Sequence, residues 1–105
     1  MNNVEAITKE KIDAWFAEWT VLEGKIHAAH DARNGEAKGL MEEAIVLFDR
    51  LVQEAGDEVL PINGIDRLAF IQAKPGQYAC YRQLDELFKE TKKRTARLRL
   101  QVSKG

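Results

Sequence analysis

Apolar residues recur at steps of three and four along most of this chain, the spacing that places side chains on one face of an α-helix. Ile12, Trp15, Phe16, Trp19, Leu22, Ile26 and Ala29 trace the first such face, with Arg33 one step beyond. Thr8 stands where an N-cap belongs, and Glu10 follows in the first turn, where a carboxylate meets the positive helix end. Asn34-Gly35 predicts the stop, since both residues tolerate left-handed backbone. Leu40, Met41, Ala44, Ile45, Phe48, Leu51, Val52 and Ala55 form a second, broader stripe, which predicts a helix over Glu36–Ala55 with Gly56 at its C-terminal cap. The short connection between the two predicts an antiparallel helical hairpin.

From Asp57 to Ile62 the period lapses around Pro61, which reads as a loop. Asn63 is the expected cap of a short third helix, with Asp66 in its first turn and Ile65, Leu68, Ala69 and Ile71 as contacts. Lys74-Pro75-Gly76 breaks it, because proline disfavours helical geometry at the residue before it and suits the first turn of a new helix. The last helix, expected to restart at Pro75, carries a seam of Tyr81, Leu84, Phe88, Thr91, Thr95, Leu98 and Val102. Two threonines weaken that seam, and it is too short for a coiled-coil reading. The expected fold is all-α: a small bundle of three long helices and one short one. One domain covers residues 1–105, with 1–7 and 101–105 frayed. No repeat or low-complexity stretch interrupts the pattern.

Composition narrows the class. With 45% apolar and 31% charged residues, the chain is neither disordered nor membrane-spanning in character. One cysteine excludes an internal disulfide, and the first residues carry no basic and apolar leader, so a cytoplasmic setting is expected. The net charge of −1 conceals a polarity: residues 1–88 hold nine Lys/Arg against sixteen Asp/Glu, whereas residues 89–105 hold seven against Glu90 alone. A basic end on an acidic body suits nucleic acid, an acidic protein surface, or neutralisation of the chain's own helices.

Arg67-Leu68, Phe70-Ile71, Pro75, Gln77-Tyr78, Gln83-Leu84, Glu86-Leu87-Phe88 and Glu90 together resemble the C-terminal signature of the YpoC-like family from Bacillus-related Gram-positive bacteria. There an R-L-x-F-I run precedes a proline-centred break and Q-L-x-E-L-F follows on a helix. Glu18-Trp19 and the apolar run Met41–Leu51 are compatible with it. The resemblance implies a cytoplasmic helical domain and transfers no activity, because the family has no established biochemical function. Its matching residues are mainly apolar or turn-forming; Arg67, Gln83 and Glu86 are the polar exceptions.

Chemistry-bearing residues are few. Glu23, His27, His30 and Asp31 cluster on the first helix, but a metal site needs converging ligands from other helices, and a charge ladder of His27 between two carboxylates accounts for the same spacing. His30-Asp31 spells the HD dipeptide of phosphohydrolases without the upstream histidine those enzymes need. Cys80 fits a small buried hydrophobe better than a nucleophile, and Ser103 lies too near the end for a held triad. No Gly-rich phosphate loop is present. Trp15, Phe16, Trp19, Tyr78 and Tyr81 fit a core better than a ligand pocket.

The expectation is therefore a non-enzymatic protein-interaction domain with no catalytic residues, metal or cofactor. Its contact surfaces are expected on the basic last helix and the Lys74–Tyr81 turn. Lys89, Lys92, Lys93, Arg94 and Arg97 form its candidate binding strip, with Lys89, Lys93 and Arg97 at four-residue steps. The alternative is a nucleic-acid-binding accessory protein using the same strip. A protein partner is expected, a homodimer through the last helix is open, and membrane association is disfavoured by the polar seam.

Overall fold

The tryptophan-bearing face of the first helix and the broad stripe of the second meet in the structure. This is a computed structural model that describes residues 9–33 and 35–104, with side-chain environments for 9–33, 35–56 and 58–98. Helix α1 spans Lys9–Ala32, α2 Ala37–Ala55, α3 Gly64–Ala73 and α4 Tyr78–Lys104, with a single 3-10 turn at Asp57–Val59. Among the described residues there is no strand, so the fold is the all-α bundle of three long helices and one short. Residues 1–7 and the Thr8 cap lie outside the described residues, and the backbone of α4 is helical through Lys104.

α1 runs antiparallel to α4, as the pairs Phe16–Lys92, Trp19–Phe88 and His30–Tyr78 show, and α2 runs alongside α4 in the same sense (Lys38–Gly76, Phe48–Phe88), hence antiparallel to α1; α3 docks chiefly on α4. The core is continuous across the bundle: Ile12, Trp15, Phe16, Trp19 and Ile26 from α1 meet Met41, Phe48 and Leu51 from α2 and Leu84, Leu87 and Phe88 from α4. Leu47 and Leu87 are buried too, although neither belongs to the stripe read from the sequence. Each widens a face that period counting drew too narrowly.

The helix ends depart from expectation in instructive ways. α1 stops at Ala32, and Arg33 itself takes left-handed backbone (φ 53°) with Gly35 (φ 78°) following. Gly56 ends α2 as foreseen, at φ 95° with its N–H donating to the Val52 carbonyl at 2.7 Å. Asn63 stands at the start of α3, yet its side chain makes no cap bond. At φ 57° it is left-handed, and its backbone carbonyl accepts from Arg67 N–H at 2.9 Å instead. Pro75 does not start α4. Lys74 to Gln77 close a turn (N···O 3.1 Å), with proline at the position its fixed φ favours, and Gln77 O then accepts from Cys80 and Tyr81.

The seam of α4 packs inside the fold through Thr95: Tyr81, Leu84, Phe88, Thr91 and Thr95 are all buried, and Leu98 packs at its edge. Thr95 Oγ1 donates to the Lys92 carbonyl at 2.8 Å. Thr91 Oγ1 is buried with no hydrogen-bond partner, which costs stability because the hydroxyl has lost water without replacement. Thr91→Val keeps the shape and removes that group. We expect the urea midpoint to rise by the equivalent of about 1 kcal/mol with an unchanged slope; a lower midpoint would mean the hydroxyl has a partner.

Candidate interaction surface

The five cations singled out on α4 divide into two groups. Lys89 Nζ pairs with Asp85 at 2.8 Å, and the same carboxylate accepts from Trp19 Nε1 at 3.3 Å. Lys92 Nζ sits 5.5 Å from the centroid of the Phe16 ring, close enough for a cation–π contact. Arg94 Nε donates to the Glu58 carbonyl and ties α4 to the 3-10 turn. These three are engaged within the fold. Lys93 and Arg97 line a notch of about 220 Å³ with Pro61, Ile62, Glu90 and Arg94. All five stay exposed, and three of them also hold a contact within the fold.

Beside this notch Arg67 joins α3 to α4. Its Nη1 and Nη2 donate to the two Glu90 carboxylate oxygens at 3.1 and 2.6 Å, Nε donates to Gln83 Oε1 at 3.1 Å, and Nη1 also reaches the Ile62 carbonyl at 3.3 Å. Hydrogen bonding to the guanidinium holds the Glu90 carboxyl below its ordinary range, against an opposing effect of burial. Arg67 and Gln83, two of the polar exceptions in the signature, thus touch across the α3–α4 seam.

α3 and the turn before it carry exposed apolar side chains on more than one side. Ile62, Ile65 and Phe70 are 79%, 69% and 52% exposed, the largest such group in one stretch of the chain. Ile65 and Ala69 had been expected as core contacts; both are exposed, and only Ile71 is fully buried with Leu68 partly so. The signal was present: in ten residues α3 carries Ile65, Leu68, Ala69, Phe70 and Ile71, apolar on more sides than one neighbouring helix can cover. Ile65, Leu68 and Ala69 wall a groove of about 270 Å³ against Val52 and Asp49 of α2, with Leu60 and Gln72 completing it. Phe70, Asp66, Arg67, Asn63 and Gln83 line a wider, open hollow of about 490 Å³ toward α4.

The histidine cluster forms no ligand set. Tyr81 Oη donates to Glu23 Oε2 at 2.8 Å, and burial first, then that carboxylate, push the phenol up, so it stays a neutral donor. His27 Nδ1 lies 3.4 Å from Asp31. His30 stacks among Tyr78 and Tyr81, with ring centroids 5.3 and 5.8 Å away. Among the described residues no three of His, Cys, Asp or Glu converge on a common point. Cys80 is fully buried, and burial pushes its thiol up. Trp15, Phe16, Trp19 and Tyr81 are core, while Tyr78, the first residue of α4, is half exposed. No helix among the described residues is long and apolar enough to cross a membrane.

A model of the YpoC-like protein family matches residues 9–103, which takes in every helix described above. The chain belongs to the YpoC-like family. A protein of Bacillus subtilis (strain 168) described as "Uncharacterized protein YpoC" is 58% identical over 33 residues, a stretch covering 31% of this chain and 20% of that protein. No solved structure matches. The residues that carried the family resemblance are not scattered in space: Arg67, Gln83 and Glu90 form the α3–α4 link, and Leu84, Leu87, Phe88 and Ile71 lie in the core around it. Of the signature's large apolar side chains Phe70 and Tyr78 are exposed, Phe70 beside Arg67.

Proposed function

We propose that this YpoC-like chain is a non-enzymatic, cytoplasmic protein-interaction domain whose contact face is the ridge made by α3 and the Ile62 turn before it. The observation that supports this reading is the exposure of Ile62, Ile65 and Phe70 within nine residues, on α3 and the turn before it, an element tied to α4 by the Arg67–Glu90 link. Single exposed hydrophobes are ordinary at a protein surface, whereas three in so short a stretch concentrate apolar surface of the kind partners cover. The test is site-specific photo-crosslinking in cells that make the protein, with the photoreactive residue at Ile65 or Phe70 and, as the control, at Val21, an exposed valine on α1. A discrete adduct from α3 absent at Val21 is the expected result. Equal or absent labelling at all three positions sinks the reading.

The competing nucleic-acid reading draws on the notch at Lys93 and Arg97. Five exposed cations, three of them also bound within the fold, predict a complex whose log K falls against log salt by about 0.9 for each phosphate neutralised on duplex DNA. Lys93→Gln with Arg97→Gln is the informative variant, since changing Lys92 or Arg94 also removes a contact to Phe16 or Glu58. Anisotropy of labelled DNA and RNA across a salt series that gave such a slope, made shallower by about 2 in this double variant, would favour nucleic acid over protein.

A further inference from the structure

We infer that the groove between α2 and α3 receives one face of an amphipathic helix from a protein partner, and that the partner helix is basic along its flank. This rests on the protein-interaction reading above and names the chemistry of the partner. The groove has an apolar floor and wall, Val52, Leu60, Leu68 and Ile65, and Ile65 is left mostly exposed by the chain's own packing. Such a trough between two helices is what ridges-into-grooves packing of a further helix fills.

The rim sets the charge of that helix. Asp49 lines the groove, and Asp66 lines the adjoining hollow of about 390 Å³ that Ile65 shares. No lysine, arginine or histidine lines either cavity. The wider stretch from residue 37 to 73 carries seven Asp/Glu against three Lys/Arg, and one of those three, Arg67, is already bound to Glu90. An acidic helix would meet like charge on both sides of its apolar strip, and a neutral one would leave Asp49 and Asp66 beside the contact without a counter-ion. A basic flank satisfies both carboxylates while the apolar strip covers Ile65.

The experiment uses the full chain and two synthetic helical peptides of identical length and Leu/Ala face, one with Lys and one with Glu at every flank position, followed by fluorescence anisotropy at fixed salt. The basic peptide is expected to bind and the acidic one not. Ile65→Ser and the pair Asp49→Asn with Asp66→Asn, all at exposed positions that leave the core intact, are each expected to weaken binding by about tenfold, the scale of a contact residue at the centre of an interface. Basic-peptide binding that ignores both variants would be charge attraction elsewhere and would overturn the inference. Preference for the acidic peptide would overturn it as well, and so would binding of neither. Concentration-dependent doubling of mass that Ile65→Ser abolishes would assign the groove to a second copy of this chain and also overturn it. Adducts at Ile65 in cells, obtained as described above, would show in each case whether the broader interaction reading survives.

Discussion

Phe88→Ala should bring the protein to the edge of unfolding. Phe88 is fully buried where the three long helices meet. Its ring stacks on Trp19 at 4.4 Å and 9°, and meets Phe48 at 5.1 Å and Phe16 at 5.8 Å edge to face. One side chain thus joins α1, α2 and α4, and its removal leaves a cavity that three rigid rings cannot collapse to fill. A buried Phe→Ala change costs about 3–5 kcal/mol, against a total of roughly 5–15 kcal/mol for a domain of this size. Thermal unfolding followed by circular dichroism should show a large fall in midpoint, with Phe88→Leu falling much less because it preserves most of the volume. A loss below about 1 kcal/mol for the alanine variant would contradict this aromatic junction.

The second large effect should come from Arg67→Met, which keeps an apolar stem and removes the charge that binds Glu90, Gln83 and the Ile62 carbonyl. The loss should be about 2 kcal/mol, the scale of charge-assisted hydrogen bonds, held down by water because the two side chains are 19% and 38% exposed. Arg67→Lys should not restore it, since an ammonium cannot span both carboxylate oxygens and also reach Gln83. The sign with pH is specific. The folded-state pKa of Glu90 is depressed below its unfolded value near 4.5, so the link contributes its full stability above that value. That contribution is lost as pH falls through the lower, folded-state pKa. The gap in urea midpoint between wild type and Arg67→Met should therefore narrow as pH falls from about 7 toward about 3, leaving the share due to Gln83 and the Ile62 carbonyl. Parallel curves would show that Glu90 has no part in the effect. Because α3 hangs chiefly on α4, hydrogen exchange in Arg67→Met should quicken first in Gly64–Ala73.

The candidate strip was legible in the residues that share it and not in what they touch. Lys89, Lys93 and Arg97 stand at four-residue steps with Lys92 and Arg94 beside them. Spacing along a helix reports which way a side chain leaves the axis and says nothing of what waits across the gap. For Lys92 that is Phe16 on α1, for Arg94 the Glu58 carbonyl before α3, and for Lys89 an aspartate one turn away that also holds Trp19. The apolar ridge was misread for the opposite reason. Ile65 and Ala69 have the right spacing to be core, and they would be core if another helix lay over them.

Residue order alone was enough for the all-α class, the three long helices, the antiparallel hairpin of α1 and α2, the Gly56 stop and nearly all of the buried stripe. These depend on local torsional preference and on the 3.6-residue period, both of which act within a few positions of sequence. Folding decided everything that depends on distant residues meeting. It placed Thr91 and Thr95 inside the core, closed Arg67 onto Glu90, gave Lys89, Lys92 and Arg94 contacts within the fold while leaving them exposed, and left Ile62, Ile65 and Phe70 outside. A short helix docked chiefly on one neighbour has more apolar surface than that neighbour can cover, and only the packed bundle determines which side of it stays exposed.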